Sequence, residues 1–243
     1  MGKLKDFFWP RLCSVAAIGI NLPMPAGIVR SSSPVTLLGA GRVSPALVKA
    51  ALKHAPTLVA ADGGANMAAR LGLSPLAVIG DMDSVLPQVR AALPAGAAIE
   101  VSDQDTTDFE KCLARIEAPF LLGAGFTGAR IDHALAVMNA LVRHRGPPCL
   151  ILSDADVIFA ARGEVALPLR AGTRVSLFPM APVRGRSEGL RWPIAGLAFA
   201  PDSRIGTSNM ATGPVRMEFD GPGMLVILPR ALLRQAIAAS VRG

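Results

Sequence analysis

The chain has 243 residues, of which 51% are hydrophobic, and its net charge is +7 at pH 7. This length suffices for one large or two small domains, and the hydrophobic share excludes an intrinsically disordered protein. No run of about 20 apolar residues is free of Pro, Asn and charge, so we expect no membrane-spanning segment. The basic residues are mostly scattered Arg, which favours a solvated basic surface over a nucleic-acid-binding stripe. A phosphorylated small molecule is the second interpretation of the positive charge.

The first 28 residues differ in character from the rest of the chain. A basic segment that ends at Arg11 precedes the uncharged stretch 12–20, and this order weakly resembles a signal peptide. Asp6 lies within the basic segment, however, and no clear small-residue cleavage site follows. We therefore expect residues 1–28 to be a disordered tail or the product of a mis-assigned start, with Met24 as the alternative first residue.

The sequence contains three widely spaced cysteines, whose pattern bears on the cellular compartment of the protein: Cys13, Cys112 and Cys149. Their odd number and their spacing match neither a disulfide framework nor a zinc finger. Reduced thiols are typical of the cytoplasm, which is where we expect the protein.

Between Pro34 and about Ser153, short apolar runs alternate with stretches that have helical signals. The runs are continuous rather than alternating, as expected of parallel strands that helices cover on both faces. The strand candidates are Val35–Leu38, Thr57–Ala61, Leu76–Ile79, Ala98–Val101, Pro119–Leu122 and Cys149–Leu152. Helix starts are indicated by Ser44 before a proline and by a capping box at Thr107 and Glu110. Residues 29–152 are therefore predicted to form a doubly wound, mainly parallel α/β domain.

After Ser153 the apolar runs become shorter and more evenly spaced, with Gly, Pro, Asp or Ser between them. They are Asp154–Ala161, Glu164–Leu169, Arg174–Phe178, Leu190–Ile194, Leu197–Ala200, Val215–Phe219 and Met224–Leu228. This pattern predicts an antiparallel, sandwich-like β domain over residues 153–243, with a final helix at 231–241.

Acidic residues follow several predicted strands of the α/β domain. Asp62, Asp81 and Asp103 each come directly after an apolar run, and four more acids lie near them or open a later helix: Asp83, Asp105, Asp108 and Asp132. The carboxyl ends of parallel strands share one edge, where α/β proteins bind their ligands. A divalent cation would relieve the repulsion among these acids, and oxygen ligands without His or Cys favour Mg²⁺ over zinc. The alternative is that each Asp serves only as a helix cap or turn residue.

A glycine motif, G-x-G-x-x-G at Gly123, Gly125 and Gly128, lies between a predicted strand and the predicted helix 131–142. This context is typical of a dinucleotide-binding fingerprint. The acid expected about 20 residues later is missing, which disfavours a nicotinamide or flavin site. The helix N-terminus still suits a phosphate group, and no Walker A motif offers another cradle for one.

Six sequence blocks resemble, in the same order, the signature of the thiamine pyrophosphokinase family. They are ADGGAN at 61–66, GDMDS at 80–84, DQDTTDFEKCL at 103–113, GFTGARIDH at 125–133, GLRW at 189–192 and GTSN at 206–209. Each block is short, but the ordered set is specific and spans most of the chain from Pro34 onward. Two positions depart from the family pattern, because Ala129 replaces a Gly and Val137 stands near a position where the family has Asn.

The resemblance implies an enzyme that transfers the pyrophosphoryl group of ATP to thiamine, with attack at the β-phosphorus, and gives thiamine diphosphate and AMP. It also implies a need for Mg²⁺ and a homodimer whose thiamine site lies between two subunits, with an α/β domain followed by a β domain in each. The competing hypotheses are a thiamine or nucleotide sensor without catalysis, a diphosphokinase for another alcohol such as a pterin, and a nucleic-acid binder.

The resemblance also implies roles for individual residues. The catalytic residues would be Asp81, Asp83, Asp108 and Asp132, and the first three of these would also hold Mg²⁺. The nucleotide site would comprise Asp62, Gly63, Gly64, Thr107, Lys111, Gly128, Arg130 and His133. Thiamine would contact Gln104, Trp192, Ser208 and Asn209. The alternatives are a surface pair for Lys111 with Asp108, a helix cap for His133 and a core aromatic for Trp192.

Overall fold

The computed structural model of the protein describes residues 28–128 and 130–242. The expected N-terminal tail, apart from its last residue, lies outside these ranges, as do Cys13 and the departure at Ala129. Within the described ranges, no helix has the length and hydropathy needed to cross a membrane.

The described ranges contain fifteen strands and six α-helices. The strands are β1 (Val29–Arg30), β2 (Val35–Leu38), β3 (Thr57–Ala61), β4 (Ala77–Gly80), β5 (Ala98–Glu100), β6 (Ile116–Glu117), β7 (Leu121–Ala124), β8 (Cys149–Leu152), β9 (Asp156–Ala160), β10 (Glu164–Leu167), β11 (Arg174–Pro179), β12 (Val183–Leu190), β13 (Ala198–Phe199), β14 (Gly206–Phe219) and β15 (Met224–Pro229). The helices are α1 (Pro45–His54), α2 (Gly64–Arg70), α3 (Pro87–Ala91), α4 (Asp108–Leu113), α5 (Ile131–Arg143) and α6 (Leu233–Arg242), with a 3₁₀ turn at Arg230–Leu232 before the last.

Six strands of the first half form a parallel sheet in the order β5-β4-β3-β2-β7-β8. This confirms the predicted doubly wound α/β architecture. The strand order reverses at β2, because the chain first moves outwards through β3, β4 and β5 and later adds β7 and β8 on the other side. Such a reversal leaves a crevice at the carboxyl ends of the two strands involved, so β2 and β7 mark the expected ligand site.

Both predicted helix starts are confirmed. The side chain of Ser44 accepts a hydrogen bond from the N–H of Leu47 at 3.2 Å, with a proline at the first helical position. Thr107 and Glu110 make the reciprocal hydrogen bonds of a capping box at the start of α4.

Helices cover both faces of the parallel strands. Leu37 of β2 packs in a buried cluster with Cys112 of α4 and Leu141 of α5. Its neighbour Leu38 points to the other face and packs with Val48 of α1. Burial on both faces accounts for the continuous apolar runs of these strands.

The second half of the sheet is antiparallel, as predicted. Strand β8 pairs with β9, and the order continues β9-β15-β11-β14-β12-β13, with β10 beside β14. The change from parallel to antiparallel pairing falls between Leu152 and Asp156, and hydrogen-bonded strands continue across it. Strand β14 is 14 residues long and pairs with β11 through its first part and with β10 and β12 through its second part. This one strand therefore changes its pairing partners along its length.

Two elements of the second half differ from the prediction. The predicted strand Leu190–Ile194 is wrong, because Leu190 is the last residue of β12 and an irregular turn follows. Strand β12 itself is missed, since its Arg and Glu side chains alternate with small polar residues. Strand β14 starts at Gly206 rather than Val215, because backbone pairing with β11 extends it through residues without apolar character.

Candidate active site

A cavity of about 480 Å³ lies where β2, β3, β4 and β7 end. It is the crevice that the reversal of strand order predicts. Among its described lining residues are Asp62, Gly63, Asp81, Asp83, Gln104, Thr107, Asp108, Lys111, Gly128, Arg130 and His133. Most of the residues that the sequence implicated thus share one cavity, although they come from four separate blocks of the chain.

Closely packed backbone forms the wall of the cavity at the reversal point. A Cβ atom at Gly39 or at Gly41 would lie 2.6 Å from the carbonyl oxygen of Gly125, closer than Cβ atoms are found in proteins. Gly125 also has φ of +80°, a conformation that side chains strongly disfavour. The absence of side chains therefore lets these two backbone segments pack in contact and form the cavity wall.

Three carboxylates lie together in the cavity. Oxygen atoms of Asp62, Asp81 and Asp83 are all within 4.8 Å of one another. Asp62 and Asp81 are the first residues after β3 and β4, so the parallel strands themselves bring them together. Gly80 permits this approach, since a Cβ there would lie 2.6 Å from the Cβ of Asp62. Their convergence supports the ligand interpretation, although the backbone N–H of Asp83 also donates a turn hydrogen bond to Asp81.

The environment affects the three carboxylates differently. Asp62 is buried, and its Oδ1 has no hydrogen-bond partner among the described residues. Burial raises the pKa of Asp62 above its usual value. The pKa of Asp81 is lowered, mainly because the backbone N–H of Asp83 donates to its Oδ1 at 3.3 Å. An unpaired buried oxygen beside two further carboxylates is a suitable ligand set for a hard cation.

Lys111 is a buried cation within this acidic cluster. Its Nζ lies 3.0 Å from Oδ1 of Asp108 and 3.4 Å from Oδ2 of Asp81, and its side chain is 3% exposed. Burial lowers the pKa of Lys111, but the hydrogen bonds and charges of Asp108 and Asp81 outweigh burial and leave the pKa raised. Interpreting Lys111 as a surface partner of Asp108 is therefore wrong, because the side chain is inside the cavity and contacts a second acid.

Some acids lie outside the three-carboxylate group. Asp108 lines the cavity and pairs with Lys111, whereas the grouped oxygens belong to Asp62, Asp81 and Asp83. Asp103 is exposed and accepts hydrogen bonds from the Asp105 N–H at 2.9 Å and from a nearby threonine. For Asp103 the turn interpretation fits better than the ligand interpretation.

The start of α5 contributes basic side chains to the cavity. Arg130 and His133 are exposed and line it, whereas Asp132 is not among the described lining residues. The guanidinium of Arg130 pairs with the Asp132 carboxylate at 2.6 Å. Their hydrogen bond raises the pKa of Arg130 and lowers that of Asp132. Gly64 also lies outside the lining, since its Cα packs against the backbone of β2 at the start of α2.

The residues implicated in thiamine binding are divided between two places. Gln104 lines the cavity, but Trp192, Ser208 and Asn209 are not among its described lining residues. The side chain of Asn209 accepts from the N–H of Trp192 at 3.2 Å and donates to its carbonyl oxygen at 2.7 Å. The indole is 54% exposed, and the Arg191 guanidinium lies 5.0 Å from the ring centre. Trp192 is therefore not a core aromatic.

Sequence reasoning missed two features of the cavity. The glycines at 39 and 41 follow β2 and face β7, and Phe126 packs against Phe109 with ring centroids 4.8 Å apart. A Gly-x-Gly directly after a strand was the available signal. Its meaning depends on strand order, because only the reversal at β2 makes that loop a wall of the site.

Comparison with known proteins identifies relatives of this chain. A model of the family "Thiamin pyrophosphokinase, catalytic domain" matches residues 48–151. Thiamine pyrophosphokinase 1 of Oryza sativa subsp. japonica is 29% identical over 186 residues, which cover 63% of this chain and 70% of that protein. Thiamine pyrophosphokinase 1 of Arabidopsis thaliana is 28% identical over 192 residues, with coverages of 65% and 72%. Over these residues the chain is similar to the thiamine pyrophosphokinase family.

Solved structures of this family share the fold. Thiamin pyrophosphokinase from Candida albicans superposes with a TM-score of 0.68 at 17% identity and covers 82% of this chain and 89% of that one. The yeast thiamin pyrophosphokinase gives a TM-score of 0.64 at 17% identity, with coverages of 94% and 98%. The two-part architecture of this chain is thus the architecture of the family.

Proposed function

We propose that the protein is a thiamine diphosphokinase, an enzyme that transfers the pyrophosphoryl group of ATP to thiamine and releases AMP. The observation that carries the proposal is the carboxylate group of Asp62, Asp81 and Asp83, beside the buried Lys111, at the strand ends of a chain similar to this family. A cavity of about 480 Å³ beside it has the size of a site for a small ligand.

The ligand set fits Mg²⁺. The buried Oδ1 of Asp62 lacks a partner among the described residues, and its neighbours offer only oxygen ligands. We infer that Asp62, Asp81 and Asp83 hold the cation, with Asp108 as the further ligand that the family resemblance implies. When bound, Mg²⁺ neutralises charge on the phosphate oxygens.

The chain's own residues supply position and charge for the reaction. Glycine backbone at 39, 41 and 125 lines the same cavity as the carboxylates, and phosphate groups would bind beside it. The fork of Arg130 suits phosphate oxygens, and His133 lines the same side of the cavity. The hydroxyl oxygen of thiamine attacks the β-phosphorus and the bond to the bridging oxygen of the α-phosphate breaks, so AMP leaves with that oxygen. The hydroxyl proton passes to a carboxylate of the cavity.

We further propose that the enzyme is a cytoplasmic homodimer in which thiamine binds between the subunits. The exposed indole of Trp192, which the side chain of Asn209 fixes through two backbone hydrogen bonds, supports this arrangement. An aromatic face suits a cationic aromatic substrate. In the dimer, Gln104 of one chain would face Trp192, Ser208 and Asn209 of the other. The buried free thiols of Cys112 and Cys149 fit a reducing compartment.

One assay tests the proposed reaction. The pure protein is incubated with ATP, Mg²⁺ and thiamine, and the nucleotide and thiamine products are separated. We expect AMP and thiamine diphosphate in equal amounts, and no product when thiamine is omitted. ADP with thiamine monophosphate would contradict attack at the β-phosphorus, and binding without any product would favour the sensor. Product from a pterin alcohol but not from thiamine would favour the other diphosphokinase.

A further inference from the structure

A chain of hydrogen bonds behind the cavity connects α5 to the start of α4. Oε2 of Glu110 accepts from the N–H and the hydroxyl of Thr107, at 3.1 and 3.0 Å. The other oxygen of Glu110 accepts from the guanidinium of Arg143 in α5. Arg143 also donates through Nε to the side chain of Asn139, one turn earlier in α5, at 2.8 Å. A single carboxylate therefore bridges the two helices.

This connection leads directly to the cavity. Thr107 and Asp108 line it, and Lys111 follows on the next turn of α4, where it pairs with Asp81. The N–H of Lys111 donates to the Thr107 carbonyl at 2.9 Å. Because α4 has only six residues, its own backbone bonds contribute little, and its start depends on the capping contacts.

We propose that Arg143 is a positioning residue of the active site, which acts through Glu110 to hold the first turn of α4 so that Asp108 and Lys111 face Asp81. Neither Arg143 nor Glu110 is among the described residues that line the cavity. Nothing in the family resemblance assigns either residue a role. The catalytic consequence rests on the proposed function, whereas the ordering of α4 does not.

A solvated ion pair usually contributes little to stability, so the importance of the Arg143–Glu110 pair depends on its surroundings. The side chain of Glu110 is 22% exposed, although that of Arg143 is 61% exposed. Both oxygens of Glu110 are engaged, and Asn139 restrains the guanidinium. The pair is therefore part of a network in which each group has a fixed partner, and such networks are worth more than isolated pairs.

The test compares Arg143→Ala and Arg143→Lys with a matched control. Arg186→Ala removes a similarly exposed Arg from its pair with Glu218 on the antiparallel half of the sheet. Hydrogen exchange at the amides of Glu110 and Lys111 reports the order of α4, and kcat and KM report the reaction. We expect Arg143→Ala to speed this exchange and to lower kcat, each by about threefold to fivefold, with the KM for thiamine unchanged. Arg143→Lys keeps the charge beside Glu110 but loses the Nε donor to Asn139, so it should restore only part of both, and the control should change neither.

Glu110→Ala provides the second comparison. It removes half of the capping box as well as the ion pair, so we expect kcat to fall by about tenfold. Adding Arg143→Ala to Glu110→Ala should cause no further loss, because both act through the same carboxylate. Additive losses would overturn the proposal, as would unchanged exchange in α4 of Arg143→Ala. Faster exchange with unchanged kcat would contradict the positioning role. A wild-type protein that forms no thiamine diphosphate would instead overturn the proposed function, while the exchange comparison would still test the order of α4.

Discussion

The parallel and antiparallel halves of the sheet hold their functional residues in different ways. In the parallel half, Asp62 and Asp81 are the first residues after neighbouring strands, so the sheet itself brings their carboxylates together. In the antiparallel half, Trp192 lies in the turn after β12, is 54% exposed and is fixed through its backbone by Asn209. The first arrangement is assembled within one chain. The second presents an aromatic side chain to solvent, which in our proposal is completed by the cavity of a second chain.

The largest effect should come from the parallel half. Asp81→Asn or Asp83→Asn should lower kcat by about a hundredfold or more, because each removes charge where the phosphate charge is stabilised. Steady-state kinetics and thermal melting measure this loss and check that the variants fold. Asp202→Asn, in an exposed turn of the antiparallel half, is the control. A nearly normal rate for either variant would remove that residue from the proposed Mg²⁺ site.

In the antiparallel half, Trp192→Ala should affect binding rather than turnover. We expect the KM for thiamine to rise by about tenfold, since the cationic substrate loses its aromatic partner, while the KM for ATP stays unchanged. Because the indole is half exposed, urea unfolding should show little loss of stability. Phe159→Ala, at a fully buried residue of β9, should instead cost about 3–5 kcal/mol. A change in the KM for ATP alone would contradict the stacking role.

A smaller effect, on the pH dependence of folding stability, is expected where the two halves meet. Arg162, between β9 and β10, donates to the carbonyl oxygens of His144 and Gly146 at 2.8 Å each. Burial lowers the pKa of His144 below its usual 6.5, and its ring contacts the Pro147 carbonyl at 2.9 Å. The unfolded chain therefore binds a proton more readily than the folded one, so this contribution to stability is present above pH 6.5 and is lost as the pH falls through the folded pKa.

His144→Gln should remove this part of the acid sensitivity. Gln can keep a hydrogen bond to Pro147, and urea unfolding at pH 7.5 and 5.5 measures the stability of variant and wild type. We expect the wild type to lose more free energy of unfolding between these values than the variant does. His133→Gln, at an exposed position at the start of α5, is the control. Equal losses in the wild type and in His144→Gln would show that burial of this imidazole has no effect on stability.

The difference between the two halves also explains which strands and site residues could be predicted from the sequence. Continuous apolar runs mark strands buried on both faces, and an acid after such a run lies at the ligand-binding edge whatever the register. The Asp62 and Asp81 positions were therefore predictable. The contact of Lys111 with Asp81 was not, because it depends on how α4 packs under β4. In the antiparallel half, β12 and the first part of β14 become strands through backbone pairing, which leaves no apolar pattern to find.

The proposed shared site combines the parallel half of one chain with the antiparallel half of another. It is tested most directly by mixing Asp81→Asn and Trp192→Ala proteins after reversible dissociation, at a thiamine concentration at which each alone is nearly inactive. In a dimer of one chain of each variant, both substitutions fall in one site and the other site is wild type. Random pairing should therefore make about one quarter of all sites wild type, and activity should rise to about a quarter of the wild-type value. Activity no greater than the average of the two separate variants would contradict a site shared between chains.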